Sequence, residues 1–424
     1  MINEAVYQNY VNILEEELVP AMGCTEPIAI AYAAAKMKEI LGAQPNKVVV
    51  NCSRNIIKNA LCVTVPNSGN LVGIEASAIM GIVAGNSEKE LEVISEVSKS
   101  DIEIATKLLN SNYCKVELLD TIVCLHLVVE GYLDNQFASV EIRDTHTNVV
   151  KIIKNDEILF ETKESNDKYL GVLCDRTTLN VKDIFKFANT VNIDDIKELI
   201  KTQIEYNLQM VEEGLTGNYG LGIGKVLLEG DTCINTKMKA YTAAASEARM
   251  SGSALPVITN SGSGNQGMTT SVPIIIYAKE YNICEEQLYR ALVFANLMTI
   301  HQRSLIGRLS AFCGAVNAAC ASGAAITYLC GGEVEKINMT ITNTLANISG
   351  IVCDGAKASC AAKIASSLDG ALMGHKLAMA GQCYCAYTGI LKGTIEDTIA
   401  AVGRLGKDGM HKTDHEILDI MLGN

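Results

Sequence analysis

The sequence predicts an α+β protein: an N-terminal region built on a sheet, followed by a mostly helical C-terminal region. Three observations carry this. β-Branched alternation is confined to residues near 43 to 170, helical periodicity dominates after Asn180, and Ala, Gly and Ser crowd the second half, where small side chains let helices pack closely. With 424 residues, 48% apolar and 20% charged, the chain can bury a large core, and a prior of about 100 to 200 residues per domain suggests two or three. We read two. Residues 1–190 form the α+β domain and 191–424 the helical domain that carries the chemistry; the helices of 1–42 can pack on the second.

The elements follow in order. Asn3 to Leu18 sets Val6, Tyr10, Leu14 and Leu18 at four-residue spacing opposite Glu15, Glu16 and Glu17, an amphipathic helix. Gly23-Cys24-Thr25-Glu26-Pro27 interrupts it. Thr25 is the expected cap and Pro27 a tolerated early position for the Ala-rich helix to Ile40, so Cys24 sits at a helix N-terminus. Strands are expected at Val48 to Asn51, Cys62 to Val65, Lys115 to Leu119, Cys124 to Glu130, Ala138 to Asp144 and Val149 to Ile153, with helices at Glu75 to Ala84 and Glu88 to Asn110 between them. Helices then run at Val181 to Thr190, Ile193 to Glu213 and Asp231 to Ser251, and the remainder reads as helical.

Composition excludes several function classes. Asp plus Glu number 48 against 35 Lys plus Arg, a net charge of −13, so nucleic acid is not an expected partner. The start, MINEAVYQNY, lacks a basic region followed by an apolar run, and the most apolar stretch, Cys313 to Leu329, is broken by Asn317 and Ser322; no membrane association is expected. Fifteen Cys without an export signal imply a reducing, cytoplasmic setting in which thiols act as small hydrophobes, catalysts or metal ligands.

Cys313, Cys353 and Cys360 each lie near an expected helix start. Ser310 is the expected cap of a helix from about Ala311, and Asp354 of one from about Gly355, so helix N–H groups face the sulfurs and favour thiolate. Residues seven apart on one helix are separated by about 10 Å along its axis. A break at Gly350, Asp354 and Gly355 is therefore needed to bring Cys353, on a loop, near Cys360, one to two turns into the next helix. The spacing matches no ferredoxin-like pattern, and inert burial in small-residue helices stands beside metal ligation as a reading. Cys320 and Cys330 read as core. Cys383 and Cys385 read as core too, because adjacent helix positions do not face one site.

Gly262-Ser263-Gly264-Asn265-Gln266-Gly267 matches a dinucleotide-binding fingerprint in form only, since no βαβ unit surrounds it and no acidic residue follows about 20 positions on. Lys58, Asn59, His146 and Asn148 are expected at strand or loop edges, able either to reach a substrate across a domain cleft or simply to make turns. His301 and Arg303 read as a structural pairing.

Read together, Ala21-Met22-Gly23-Cys24-Thr25-Glu26-Pro27, Asn55-Ile56-Ile57-Lys58-Asn59, His146-Thr147-Asn148, Thr259 to Gly267 and the three cysteines resemble the iron-sulfur L-cysteine desulfidases, relatives of the iron-sulfur L-serine dehydratase α chain. The motifs keep their order from Ala21 to Cys360. The resemblance implies a [4Fe-4S] cluster held by Cys313, Cys353 and Cys360 with one iron open to substrate, and no pyridoxal phosphate. It implies a small amino-acid substrate, held by Ser261, Gly262, Ser263, Gly264 and Asn265 with Lys58, Asn59, His146 and Asn148. Cys24 is implied as the base that takes the α-proton or as a removable fourth ligand, while a packing role under the Glu26-Pro27 turn also stands; at a helix start beside cationic charge its pKa is expected to be depressed.

The implied reaction is β-elimination: aminoacrylate forms, tautomerises to an imine and hydrolyses to pyruvate and ammonium, with sulfide released from cysteine. In the serine dehydratase branch the last two ligands stand farther apart than Cys353 and Cys360, which favours cysteine. Three functions stand at this point: cysteine desulfidase, serine dehydratase, and a non-catalytic thiol or metal sensor that binds an amino acid. An open iron is vulnerable to oxygen, so aerobic preparation is expected to strip the cluster, and the small-residue helices offer a surface for homo-oligomerisation.

Overall fold

The computed structural model describes residues 2–162 and 174–423 and has the expected α+β architecture. Six strands form one sheet in the order Cys114–Leu118, Lys47–Cys52, His126–Leu133, Gln136–Arg143, Val149–Lys154, Glu157–Glu161. The first pair is parallel and the rest antiparallel. Alternation explains the inner strands: Val48 and Val50, Leu127 and Val129, and Ala138, Val140 and Ile142 all turn to one buried face. The helix Thr25–Leu41 covers that face and is buried nearly all round, because Ile74–Ala84 packs on its other side. The two helices touch through small residues, and a Cβ on Gly81 would stand 2.1 Å from the Ala31 carbonyl oxygen.

The helical region builds a separate core around Gly314–Leu329, an Ala- and Gly-rich helix with almost every residue buried. Glu285–Ile306, Gly264–Glu280, Val334–Asn347 and Cys360–Met379 surround it. The N-terminal helix Glu4–Glu17 belongs to this core, with the rings of Tyr7 and Tyr10 packed edge-on to Phe187 at 5.2 and 5.3 Å. Val181–Thr190, placed by the sequence with the first domain, packs here as well. Residues 1–42 are thus divided: the first helix joins the helical core and the second roofs the sheet. A two-stranded ribbon lies between them, Pro20–Met22 antiparallel to Pro256–Ile258, with Ala21 opposite Val257.

Several local expectations change. Cys62 to Val65 contributes only the single bridge Thr64 to Val72, and Lys58 and Asn59 lie on a short helix, Arg54–Ala60, rather than at a strand or loop edge. Glu88 to Asn110 is a 3-10 turn, Ser87–Glu92, and then a helix, Lys99–Leu109, whose start is fixed by a reciprocal Ser98 and Asp101 cap. The strands Pro20–Met22, Glu157–Glu161 and Pro256–Ile258 were not expected, and the end of the expected sheet region, near 170, lies outside the described residues. Among the described residues no helix is long and apolar enough to cross a membrane.

Candidate active site

Backbone pairing brings two of the cysteines together. Phe312 and Val352 form an antiparallel bridge, with Cys313 N–H donating to Ile351 O (2.8 Å) and Cys353 N–H to Ala311 O (2.7 Å). Because Ala311 to Cys313 is extended for this bridge, the helix cannot start at Ala311; it starts at Gly314 with Cys313 in the cap position. Ser310, freed from capping it, donates to Gly406 O at 2.6 Å. Asp354 likewise caps nothing and pairs with Lys357 and Lys363. The next helix begins at Cys360 itself, not one or two turns earlier, so this thiol sits at a helix start. Ala315 and Ala319 of one helix pack on Ile364, Leu368 and Ala371 of the other, which holds the two starts side by side. Gly355, at φ +92, passes so close to Arg54–Ala60 that a Cβ would lie 2.2 Å from Lys58 O.

All three thiols line one cavity of about 100 Å³, and Cys24 lines it too. Cys313 and Cys353 interact as a pair, and this contact, helped by Lys58 and Lys363, holds Cys353 below the usual thiol value against the effect of burial. The same contact and burial push Cys313 well up, while burial and the neighbouring Cys353 push up Cys360. Arg303, buried behind them, donates to Phe312 O and Arg308 O and leaves its Nε without a partner. Among the described residues no three His, Cys, Asp or Glu side chains close round a single metal ion. A cubane makes a different demand, one thiolate at each of several corners.

The rest of the lining is largely polar. Cys24 caps Thr25–Leu41 without a side-chain cap bond; its thiol donates to Glu26 Oε2 at 2.9 Å. Glu26 also accepts from Thr25 Oγ1 (3.2 Å) and, at Oε1, from Asn59 Nδ2 (2.8 Å). The expected depression of the Cys24 pKa is not found. Burial and the Glu26 charge raise it well above the usual thiol value, outweighing Arg249. Burial raises Glu26, yet His146 and the hydrogen bonds from Cys24 and Asn59 bring it below the usual carboxylate value. His146 is itself buried, which lowers it to about 4, and its Nε2 has no partner.

The turn Asn260 to Ser263 leads from the ribbon into Gly264–Glu280, with Ser263 as the N-cap. Ser263 and Asn265 line the cavity. Gly262 is not among the lining residues: its carbonyl accepts from Thr25 Oγ1 at 2.9 Å, and Ser261 is spent on the turn, donating to Asn260 Oδ1. Asn265 Oδ1 accepts from Arg249 Nη1 and Ser246 Oγ, both at 3.1 Å. Gly264 makes room for that guanidinium: a Cβ there would sit 2.4 Å from Arg249 Nε.

The structure therefore gathers Cys24, Asn59, Ser263, Asn265 and the three thiols on one cavity. Lys58 is not among the lining residues: it is buried, ion-paired to Asp414 and bonded to Cys353 O. Asn148 makes the turn before Val149, donating to Arg143 O. His301 pairs with Glu396 at 2.7 Å, as a structural pairing would. Cys320 is core, but Cys330, Cys383 and Cys385 are exposed, the last two because the chain has left Cys360–Met379 for a loop. The sequence reading missed Glu26, Arg249, Gln266, Arg303 and Arg308, all of which line the cavity. Arg249 left a signal, as a charge four residues after Ala245 on the buried stripe of an Ala-rich helix.

A family model for the serine dehydratase alpha chain matches residues 88–419. The chain is 49% identical over 427 residues to a UPF0597 protein of Treponema denticola, covering 99% of each. It is 50% identical over 417 residues to one of Desulfitobacterium hafniense, covering 98% of this chain and 97% of the other. A third, of Lachnoclostridium phytofermentans, is 48% identical over 419 residues, 98% and 100% of the two chains.

Proposed function

The chain belongs to the serine dehydratase alpha-chain family, of lyase type, and from that premise we propose that it is a [4Fe-4S]-dependent L-cysteine desulfidase, cleaving L-cysteine to pyruvate, ammonium and sulfide. The observation that carries the reading is that Cys313, Cys353 and Cys360, from separate helix starts and a loop, line one cavity together with Cys24. These donors suit the group. They are soft, half-buried, adjoin two helix N-termini and are backed by Lys58, Lys363 and Arg303, charges that offset a set of thiolates. A cluster bound there supplies Lewis acidity to a β-sulfur or β-hydroxyl that leaves poorly alone.

The protein's own groups handle the proton. Cys24 is the group that takes the substrate's α-hydrogen: burial and the Glu26 charge keep it a thiol in the resting site, so the thiolate forms only when the ammonium group of bound substrate favours it, the thiol proton passing to Glu26, which already accepts its hydrogen bond at 2.9 Å. The electron pair from the broken Cα–H bond forms the Cα=Cβ bond as the Cβ–S bond breaks and sulfide departs. The resulting aminoacrylate becomes an imine and is hydrolysed by water. Asn59 and Thr25 hold the Glu26 carboxylate in place through both steps.

Six residues between Cys353 and Cys360 favour cysteine, as in the desulfidase branch; the description of the matched family favours serine as the second reading. Anaerobic reconstitution with iron and sulfide, followed by pyruvate and sulfide assays on L-cysteine and L-serine, decides between them. We expect equimolar pyruvate and sulfide from cysteine and slower pyruvate release from serine. Faster turnover of serine assigns a dehydratase, and no product from either amino acid by iron-loaded protein refutes both. The substrate is then a small amino acid met in the reducing cytoplasm, and no membrane or nucleic-acid partner enters the reaction.

A further inference from the structure

Arg249 is 2% exposed, on the helix Ile234–Met250, and lines the same cavity as the thiols. A buried guanidinium normally carries a carboxylate partner, because removing its charge from water is costly. This one has a single neutral acceptor, Asn265 Oδ1 at 3.1 Å, and its Nε is unpartnered. Glu26 shares the cavity, but its oxygens are engaged by Cys24, Thr25 and Asn59, and among the described residues no carboxylate lies within ion-pair distance of Arg249. The fold nevertheless keeps space for the group. Gly264 lacks the Cβ that would lie 2.4 Å from Nε and 2.7 Å from Cζ, and Asn265, anchored by Ser246, fixes the fork from the other side.

Resting on the amino-acid lyase reading, we propose that Arg249 is the residue that binds the α-carboxylate of the substrate, through guanidinium N–H groups that Asn265 does not take, and so selects α-carboxylated thiols over other thiols. A planar fork with free N–H groups matches a carboxylate's two oxygens. The missing counter-charge is then supplied by each substrate molecule. Asn265 acts as a positioning residue, since it touches the guanidinium and orients it.

The test uses the full chain, cluster-loaded and anaerobic, titrated calorimetrically with two half-substrates: 3-mercaptopropionate, which has thiol and carboxylate but no amino group, and cysteamine, which has thiol and amino group but no carboxylate. Wild type is expected to prefer 3-mercaptopropionate. Arg249→Gln should weaken that ligand about 10- to 100-fold while leaving cysteamine within about twofold and iron content unchanged. Gly264→Ala should reproduce the loss with the arginine still present, and Arg249→Lys should restore part of it, which separates recognition from misfolding. No preference in wild type, or equal weakening of both ligands in Arg249→Gln, overturns the inference. Wild type that shows the Arg249-dependent preference yet forms no pyruvate from cysteine or serine refutes the lyase reading alone.

Discussion

The two walls of the cavity are built by opposite means. The thiol wall is assembled from backbone: one antiparallel bridge, two helix starts and a glycine at φ +92 set the sulfurs, with cations arranged behind them. The polar wall is assembled from side chains, in the hydrogen-bond chain Cys24 to Glu26 to Asn59 and the pair Arg249 and Asn265. Unpartnered buried atoms occur on both sides, one on the thiol side, Arg303 Nε, and three on the polar side, Arg249 Nε, Asn59 Oδ1 and Gln266 Oε1, all on residues that line the cavity. Rigid backbone suits a group that stays; unsatisfied polar side chains suit one that comes and goes.

Substitutions on each wall and on the scaffold between them test that division. Cys353→Ser removes a soft donor, and both reconstituted iron and turnover should collapse, iron retention falling by at least about tenfold; Cys383→Ser, on an exposed loop, should leave both at wild-type level. Iron analysis and absorbance measure the contrast, and equal iron in the two variants would erase it. Cys24→Ala belongs to the other wall. It should keep its iron and lose turnover by about 10²- to 10⁴-fold, the usual worth of a positioned base; parallel loss of iron would move Cys24 to the thiol wall as a ligand. Lys58→Met should act on neither wall directly but on the scaffold between them. Leaving Asp414 buried without its cation is expected to cost about 3–5 kcal/mol in urea denaturation, with part recovered in Lys58→Met/Asp414→Asn, where the amide can still accept from Ala311 N–H. Unchanged stability in the single variant would deny the pair its role in tying the C-terminal helix His411–Leu422 to the cysteine loop.

The sequence disclosed the two walls unequally. Inner strands such as Lys47–Cys52 were legible through a β-branched run, Val48 to Val50, that is buried throughout, whereas Glu157–Glu161 is exposed along its whole length and has a single β-branched residue, Ile158. Arg54–Ala60, at seven residues, is too short for helical periodicity to register. The three thiols were legible through a resemblance over ordered motifs; their spacing alone left inert burial open, because the bridge that unites Cys313 with Cys353 joins segments about 40 residues apart and leaves no local trace. The helix-capping expectations for Ser310 and Asp354 failed for the same reason, since tertiary pairing displaced a local rule. For Cys24, position at a helix start predicted a depressed pKa, and burial, together with an acid two residues away, reversed it. The sequence placed Glu26 next to Cys24 but could not aim it.

The ribbon of Pro20–Met22 with Pro256–Ile258 has an evolutionary corollary. Its pairing fixes the phase in which the chain reaches Cys24 on one side and the Asn260 to Asn265 turn on the other. Adding or deleting one residue within either strand would turn alternate side chains over and swing the thiol or the turn away from the cavity. Length changes should therefore be tolerated at the hairpin tip Asp134–Asn135, which belongs to the other sheet, and purged between Leu18 and Cys24, whatever amino acids occupy those positions.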